Sequence, residues 1–234
     1  MPAEAPATVV DCAGLGIRDI NVAIRAALAD GRPVDVVHPG ARHNLGVALL
    51  TAGTVRIDGS VGYYCGGMND GATVDVDGSA GWGLAEGMLA GTVTVTGNAG
   101  NGAAASIRGG TVVVRGDCAA RAGVAMKGGT LLIAGDAGYM TAFMMQKGVV
   151  VISGDAGEAL ADSMYEGTVY VGGAIASLGN DAVVEAPADD DERWLDALFA
   201  AHDVRRPGAF RKIVSGRKLW NFQKHELDTW RAAL

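Results

Sequence analysis

The sequence predicts a mainly β protein, a single-stranded right-handed parallel β-helix with about 19 residues per coil and seven to eight coils. An N-terminal capping helix and a C-terminal helix with an extended tail complete the expected architecture. Three observations carry this reading. Glycines close short β-type runs at a fixed interval of nineteen residues: Gly59, Gly78, Gly97, Gly116, Gly135, Gly154 and Gly173, with Gly40 nineteen before the first. Such a period, held over so many copies, is the signature of a solenoid. Within each run apolar residues alternate, as in Val55/Ile57, Val93/Val95, Leu131/Ile133 and Val169/Val171, which places each pair on one face of a strand. The handedness follows from the period together with the chirality of parallel connections. Coils of nineteen are not built from hexapeptides, and parallel crossovers are overwhelmingly right-handed.

Taken in order, residues 1–33 form a lead-in and capping helix. Thr8 to Asp11 reads as a short strand. Ile20, Ile24, Ala27 and Leu28 share one helix face at i, i+4, i+7 and i+8, and Asp30-Gly31 with Pro33 supplies a stop. This helix is expected to cover the apolar end of the solenoid, where a terminal coil would otherwise expose its core and a pairing edge.

Residues 34–179 form the repeat array. Partners of the inward residues are mostly Thr, Arg, Asp and Ser, which suit solvent. After each closing glycine comes a corner such as Ser79-Ala80-Gly81, Asn98-Ala99-Gly100 or Asp136-Ala137-Gly138. Ser, Asn and Asp fit such corners by bonding their own backbone, and glycine by supplying positive φ. Ten residues after the glycine runs a second inward column, Met88, Ile107, Met126, Met145 and Met164. Met68 is expected to join it through a one-residue slip, compensated by an extra residue between Gly71 and Gly78, and this has the mark of a bulge. At about 4.8 Å per coil, eight coils span roughly 38 Å.

Residues 180–234 change character. Glu185 to Arg193 reads as an acidic linker, and Trp194, Leu195, Leu198 and Phe199 as a helix face. The tail from Arg205 interleaves basic residues with Phe210, Trp220, Phe222 and Trp230. Such a mixture suits packing on the solenoid flank or on a partner subunit. The candidate partner interface is therefore Tyr63, Tyr64, Trp82, Phe210, Trp220, Phe222 and Trp230. Tyr63 and Trp82 are nineteen apart and so occupy equivalent corners of adjacent coils, where their rings can stack.

Composition excludes several function classes. The net charge of −7 disfavours nucleic acid or an anionic membrane as partner. The chain has 3 cysteines, Cys12, Cys65 and Cys118, with no Cys-x-x-Cys pair, so buried thiols are expected rather than a zinc site or disulfide framework. No basic start precedes an apolar run, and no stretch has the length of a membrane span. A soluble cytoplasmic protein is the expectation.

Apparent catalytic motifs dissolve on inspection. Gly81-Trp-Gly83 and Gly97-Asn-Ala-Gly100 imitate phosphate loops, yet the next element is another strand and not the helix such loops need. Asp70, Asp75 and Asp77 lack the nine-residue period of calcium-binding repeats. His38, His43, His202 and His225 share no metal-ligand spacing. Glu158, Asp162 and Glu166 would cluster on a helix but not in a β coil. No catalytic residue, cofactor-binding residue or metal ligand is assigned.

With the repeat Gly-Thr-Val-x-Val-x-Gly-[Asp/Asn/Ser]-Ala-Gly in hand, residues 34–179 resemble the GXGXG β-helix domain at the C-terminus of the glutamate synthase large subunit. More specific stretches are Val61-Gly-Tyr-Tyr-Cys-Gly-Gly-Met68-Asn69, Gly154-Asp-Ala-Gly-Glu-Ala-Leu160 and Phe210-Arg-Lys with Leu219-Trp-Asn-Phe222. These look like the stand-alone B-type subunits of N-methylglutamate synthase and related glutamate-synthase-like complexes. The resemblance implies a split enzyme that makes N-methylglutamate and ammonia from glutamate and methylamine. Its partners would be a glutamine-amidotransferase-like subunit and an FMN-binding synthase subunit, with FMN, and optionally an iron–sulfur cluster, held there and not in this chain. This chain would be the rigid spacer between them, in a hetero-oligomer. Two other readings stay open: the C-type subunit of a formylmethanofuran dehydrogenase or formyltransferase complex, and a stand-alone β-helix enzyme acting on carbohydrate or acyl substrates.

Overall fold

A computed structural model describes residues 6–218, and over them the chain is a parallel β-solenoid. Strands β1 (Thr8–Asp11), β2 (Val34–Val37), β3 (Gly53–Asp58), β4 (Asp70–Val76), β5 (Ala90–Val95), β6 (Thr111–Val114), β7 (Lys127–Ile133), β8 (Lys147–Ile152) and β9 (Thr168–Val171) lie side by side in chain order. Each is parallel to its neighbour. From β3 onward equivalent residues are nineteen apart, Val55 beside Val74 and Val74 beside Val93. The first coil is longer, with Val34 beside Val55 and Val37 beside Asp58. Gly40 therefore lies outside the closing-glycine column that its spacing suggested, and forms a turn of its own at φ 56°.

The inward pairs of every strand from β2 to β9 are buried, as alternation requires. The second inward column is buried too, with Met88, Ile107, Met126 and Met145 fully enclosed. In the coil before Met88 the inward place belongs to Asn69, not Met68. Met68 is 56% exposed, and its N–H bonds Glu86 at 2.8 Å just as that of Gly87 bonds Ala105, so no slip occurs at Met68. The irregularity falls one step later, as a register shift between Asp70 and Thr73 where β4 meets β5. There Ala72 stands where the other coils have an opening glycine, opposite Gly53. Asn69 clamps it, donating from Nδ2 to Ala72 O at 2.8 Å and accepting from Ala72 N–H at 3.1 Å. A buried amide with both ends satisfied can replace an apolar filler.

The side opposite the strands is made of turns. Each coil places three residues in the left-handed region at alternate positions, as in Tyr64, Gly66 and Met68, then Gly83, Ala85 and Gly87. The corner glycines are required for a different reason than their neighbours' φ. A Cβ on Gly135 would meet Asp117 Oδ1 at 2.1 Å and Gly116 O at 2.8 Å, and Gly154 faces Asp136 in the same way. Those oxygens are occupied. Asp117 Oδ1 accepts from Asp136 N–H at 2.8 Å, and Asp136 Oδ1 from Asp155 N–H at 2.7 Å. Ser60, Ser79 and Asn98 continue the ladder upstream. The corner side chains thus bond the next coil's backbone and not their own, and the glycine leaves room for that bond.

The N-terminal cap forms as the pattern predicts. Helix α1 (Ile17–Ala29) buries Ile20, Asn21, Ile24, Ala27 and Leu28, and ends at Asp30 before Gly31 in the left-handed region. Asn21 fastens it to the first coil, giving Nδ2–H to Asn44 O and taking Gly46 N–H, both at 2.8 Å.

The C-terminal end departs from expectation in three ways. Strand β10 (Ala182–Glu185) and strand β11 (Arg211–Ser215) extend the sheet, with β11 antiparallel between β9 and β10, so part of the basic tail is a strand. The expected linker is short because helix α2 (Asp189–Ala201) begins within it. Its acids Asp189 to Glu192 fill the first turn, where they complement the helix dipole, and Asp191 accepts from Ala188 N–H at 2.8 Å. Finally, the outer sheet face is not all solvent-facing. Val113, Leu132, Val151 and Tyr170 are buried beneath Leu195, Phe199 and Phe210 in a second core.

Phe210 is thereby removed from the candidate partner interface. It is 5% exposed and its ring lies 5.8 Å from that of Phe199, because the outer column turns apolar at Val113 and must be covered. Arg115 closes the junction by donating to the carbonyls of His202 and Asp203 at 2.9 and 2.8 Å, a cation at the C-terminal end of α2.

Candidate functional site

Two surfaces are left uncovered by this packing. The outer sheet face over β2 to β5 carries Asp35, Arg56, Asp75 and Thr94, the polar half of the column that α2 leaves open. There Arg56 lies 3.8 Å from Asp35, and Asp77 accepts from Thr96 Oγ1 at 3.1 Å.

The other surface is the turn side, and it gathers three of the seven expected interface residues, Tyr63, Tyr64 and Trp82. Tyr63 and Trp82 stack with ring centroids 5.3 Å apart and planes 17° from parallel. The stack extends one coil further than the nineteen-residue spacing revealed: His43 lies 4.3 Å from Tyr63, and its Nδ1 accepts from Tyr63 N–H at 2.8 Å. That acceptor fixes the ring tautomer, with the proton on Nε2. His43 was missed because the longer first coil puts it twenty residues before Tyr63. Tyr64 meets Tyr63 edge-on at 6.5 Å and lies over Gly83, whose Cβ would fall 2.6 Å from the Tyr64 ring. Tyr63, Tyr64 and Trp82 remain 39%, 44% and 52% exposed. Trp220, Phe222 and Trp230 lie outside the described residues.

Beyond this aromatic wall runs an open trough of about 340 Å³, floored by Gly83, Gly102, Ala105 and Ala125 and crossed by Arg121. The trough exists because Gly83 and Gly102 stand at the coil position where the flanking coils carry Tyr64 and Arg121. Nothing in a single coil's sequence announces it.

The thiols are enclosed. Burial pushes Cys65 up to about 12, and burial with the nearby Asp117 carboxylate raises Cys118. Cys12 is raised by partial burial as well. A thiol held neutral is a poor nucleophile and metal ligand. Asp11 and His38 make an exposed pair at 3.0 Å, and Asp11 is held low by Ala13 N–H and by His38. Among the described residues no three His, Cys, Asp or Glu side chains are placed to hold a metal ion, and no helix is long and apolar enough to cross a membrane.

The apparent phosphate loops are tight corners: a Cβ on Gly81 would lie 2.9 Å from Gly62 C, and one on Gly100 2.8 Å from Gly81 C. Their amides serve the neighbouring coils. Glu158, Asp162 and Glu166 lie in turns, where Asp162 accepts from Ser163 Oγ and Asn180 N–H. Scanned against family models the chain matches none, and no curated protein matches it.

Proposed function

We propose that this chain is a non-catalytic structural subunit of an FMN-dependent glutamate-synthase-like complex, N-methylglutamate synthase being the best reading. It would hold an amidotransferase-like and a flavin synthase-like subunit at a fixed separation. The observation that carries the reading is where the polar groups go. In the array, corner carboxylates and amides bond the next coil's backbone, so they are spent on making a rod. The stretch Val61 to Asn69, which carries much of the family resemblance, holds the Tyr63 stack at its exposed side and the Asn69 clamp within. A subunit whose distinctive residues divide between stiffness and one exposed aromatic wall suits a spacer.

The test is co-expression of the three genes from one operon. The flavin-bearing and amidotransferase-like chains should co-purify with this one, and the assembled complex should form N-methylglutamate from glutamate and methylamine. Turnover of glutamine, glutamate or methylamine by this chain alone would overturn the reading, and would favour the stand-alone enzyme instead.

A further inference from the structure

The two ends of the solenoid are finished differently. At the N-terminal end α1 lays Ile20, Ile24 and Leu28 over the first coils, and all three are buried. At the C-terminal end three inward columns can be followed to their last members. Along the sheet Val169 stands beside Ile213, and Ile213 beside Val184, so the three side chains share one face. The first two are fully buried and Val184 is 49% exposed. Leu160 is fully buried, and Leu178, its partner one coil on, is 36% exposed. Ala156 is buried, and its partner Ile175 packs on the core only partly buried. In each column solvent reaches the inward residue where the stack stops. Helix α2 does not serve here, because its buried residues Leu195 and Phe199 belong to the second core on the outer sheet face. Strand β10 is the last of the sheet, and an open core end beside an edge strand invites unwanted association.

The described chain finishes at this same end. Beyond β11, Gly216 N–H bonds Asp181 O at 2.6 Å and Lys218 N–H bonds Asp181 Oδ1 at 3.1 Å, immediately before β10. The sequence that follows is apolar on one side. Trp220, Leu227 and Leu234 recur at seven-residue spacing, and Trp230 falls beside them at helical periodicity. Asn221, His225, Asp228 and Thr229 fall on the opposite side. This segment, residues 219–234, is longer than α1, whose 13 residues cover the other end.

We propose that the C-terminal end of the solenoid is a docking surface for this chain's own residues 219–234, which seat Trp220, Leu227, Trp230 and Leu234 on Ile175, Leu178 and Val184. The segment is the counterpart of α1, a second cap that takes the exposed end of the core out of water. The proposal goes beyond the spacer reading and does not depend on it. It gives Trp220 and Trp230 an intramolecular partner, and so leaves the Tyr63, Tyr64 and Trp82 wall as the aromatic surface free for another chain.

The experiment is amide hydrogen exchange, read by mass spectrometry, on the full chain without partners. In the double variant Leu227→Ser, Trp230→Ser, peptides covering residues 174–185 should exchange about tenfold or more faster than in the parent. Its thermal midpoint should fall by roughly 3 °C or more. Phe222→Ser, off the apolar side, should change neither. Val184→Glu puts a charge on the end itself, at a half-exposed position, and should speed exchange within residues 219–234. Combined with the double variant it should cost less than the two effects summed, since both break one contact. Exchange of residues 174–185 that is the same in the double variant and the parent would overturn the proposal. So would protection of residues 219–234 that arises only when a flavoprotein or amidotransferase-like subunit is added, because the segment would then belong to a partner. Either failure leaves the spacer reading standing, which is decided by co-purification alone.

Discussion

Gly135→Ala isolates the physical reason for the nineteen-residue glycine column. The new Cβ would sit 2.1 Å from Asp117 Oδ1, 2.8 Å from Gly116 O and 2.9 Å from Gly116 C. Two of these are backbone atoms of a coil held on both sides, so the overlap cannot be relieved by rotating a side chain. Asp117 must swing away, and the 2.8 Å bond from Asp136 N–H is then lost. A hydrogen bond to a charged acceptor contributes roughly 1.5–3 kcal/mol, and forcing a methyl group into packed structure costs about 1–3 kcal/mol more. The expected loss is about 2.5–6 kcal/mol, read as a shift in the urea midpoint at unchanged slope. Gly208→Ala is the control, because nothing lies within 4 Å of its Cβ, and it should stay within about 0.5 kcal/mol of the parent. Asp117→Ala combined with Gly135→Ala should cost less than the two singly, since both break the same bond. A Gly135→Ala protein as stable as the Gly208→Ala control would refute the close-approach explanation.

Further outcomes follow from the same packing. Burial opposes ionisation of Asp191, yet hydrogen bonds from Lys212, Tyr170 and Ala188 hold its carboxyl down at about 2. Its stabilisation is therefore present above pH 4 and lost as pH falls toward 2, so Asp191→Asn should destabilise by about 1–2 kcal/mol at pH 7 and flatten the acid limb of the stability curve; an unchanged acid limb would contradict this. With thiols raised by burial, iodoacetamide should leave Cys65 and Cys118 unmodified in the folded protein at pH 8 and alkylate both in urea, as intact mass would report. Asn69→Ala removes both bonds to Ala72 and leaves its buried N–H without the Asn69 acceptor, with an expected cost of about 2–4 kcal/mol that a thermal midpoint near the parent's would exclude.

Period and alternation made the array legible, since a column that recurs every coil is visible in the chain as a number. The same logic located the Tyr63–Trp82 stack, whose two rings sit one coil apart. It failed where register, and not period, decides. Met68 and Asn69 are adjacent in sequence, and only the Asp70–Thr73 bulge and the Asn69 bonds to Ala72 settle which of them faces inward. The closing glycines were readable as a pattern but not as a cause, because their reason is a side-chain oxygen from the preceding coil. The burial of Phe210 rests on the outer column as a whole, which passes from Asp35, Arg56, Asp75 and Thr94 to Val113, Leu132, Val151 and Tyr170, and an apolar half-face must be covered from within the chain or without.

The spacer role is tested most directly by the native mass and absorption spectrum of the chain purified from its own host at physiological salt. The prediction is a hetero-oligomer containing an amidotransferase-like chain and a flavoprotein, with flavin absorbance in the same particle. A colourless species of this chain alone, turning over a substrate without partners, would contradict it.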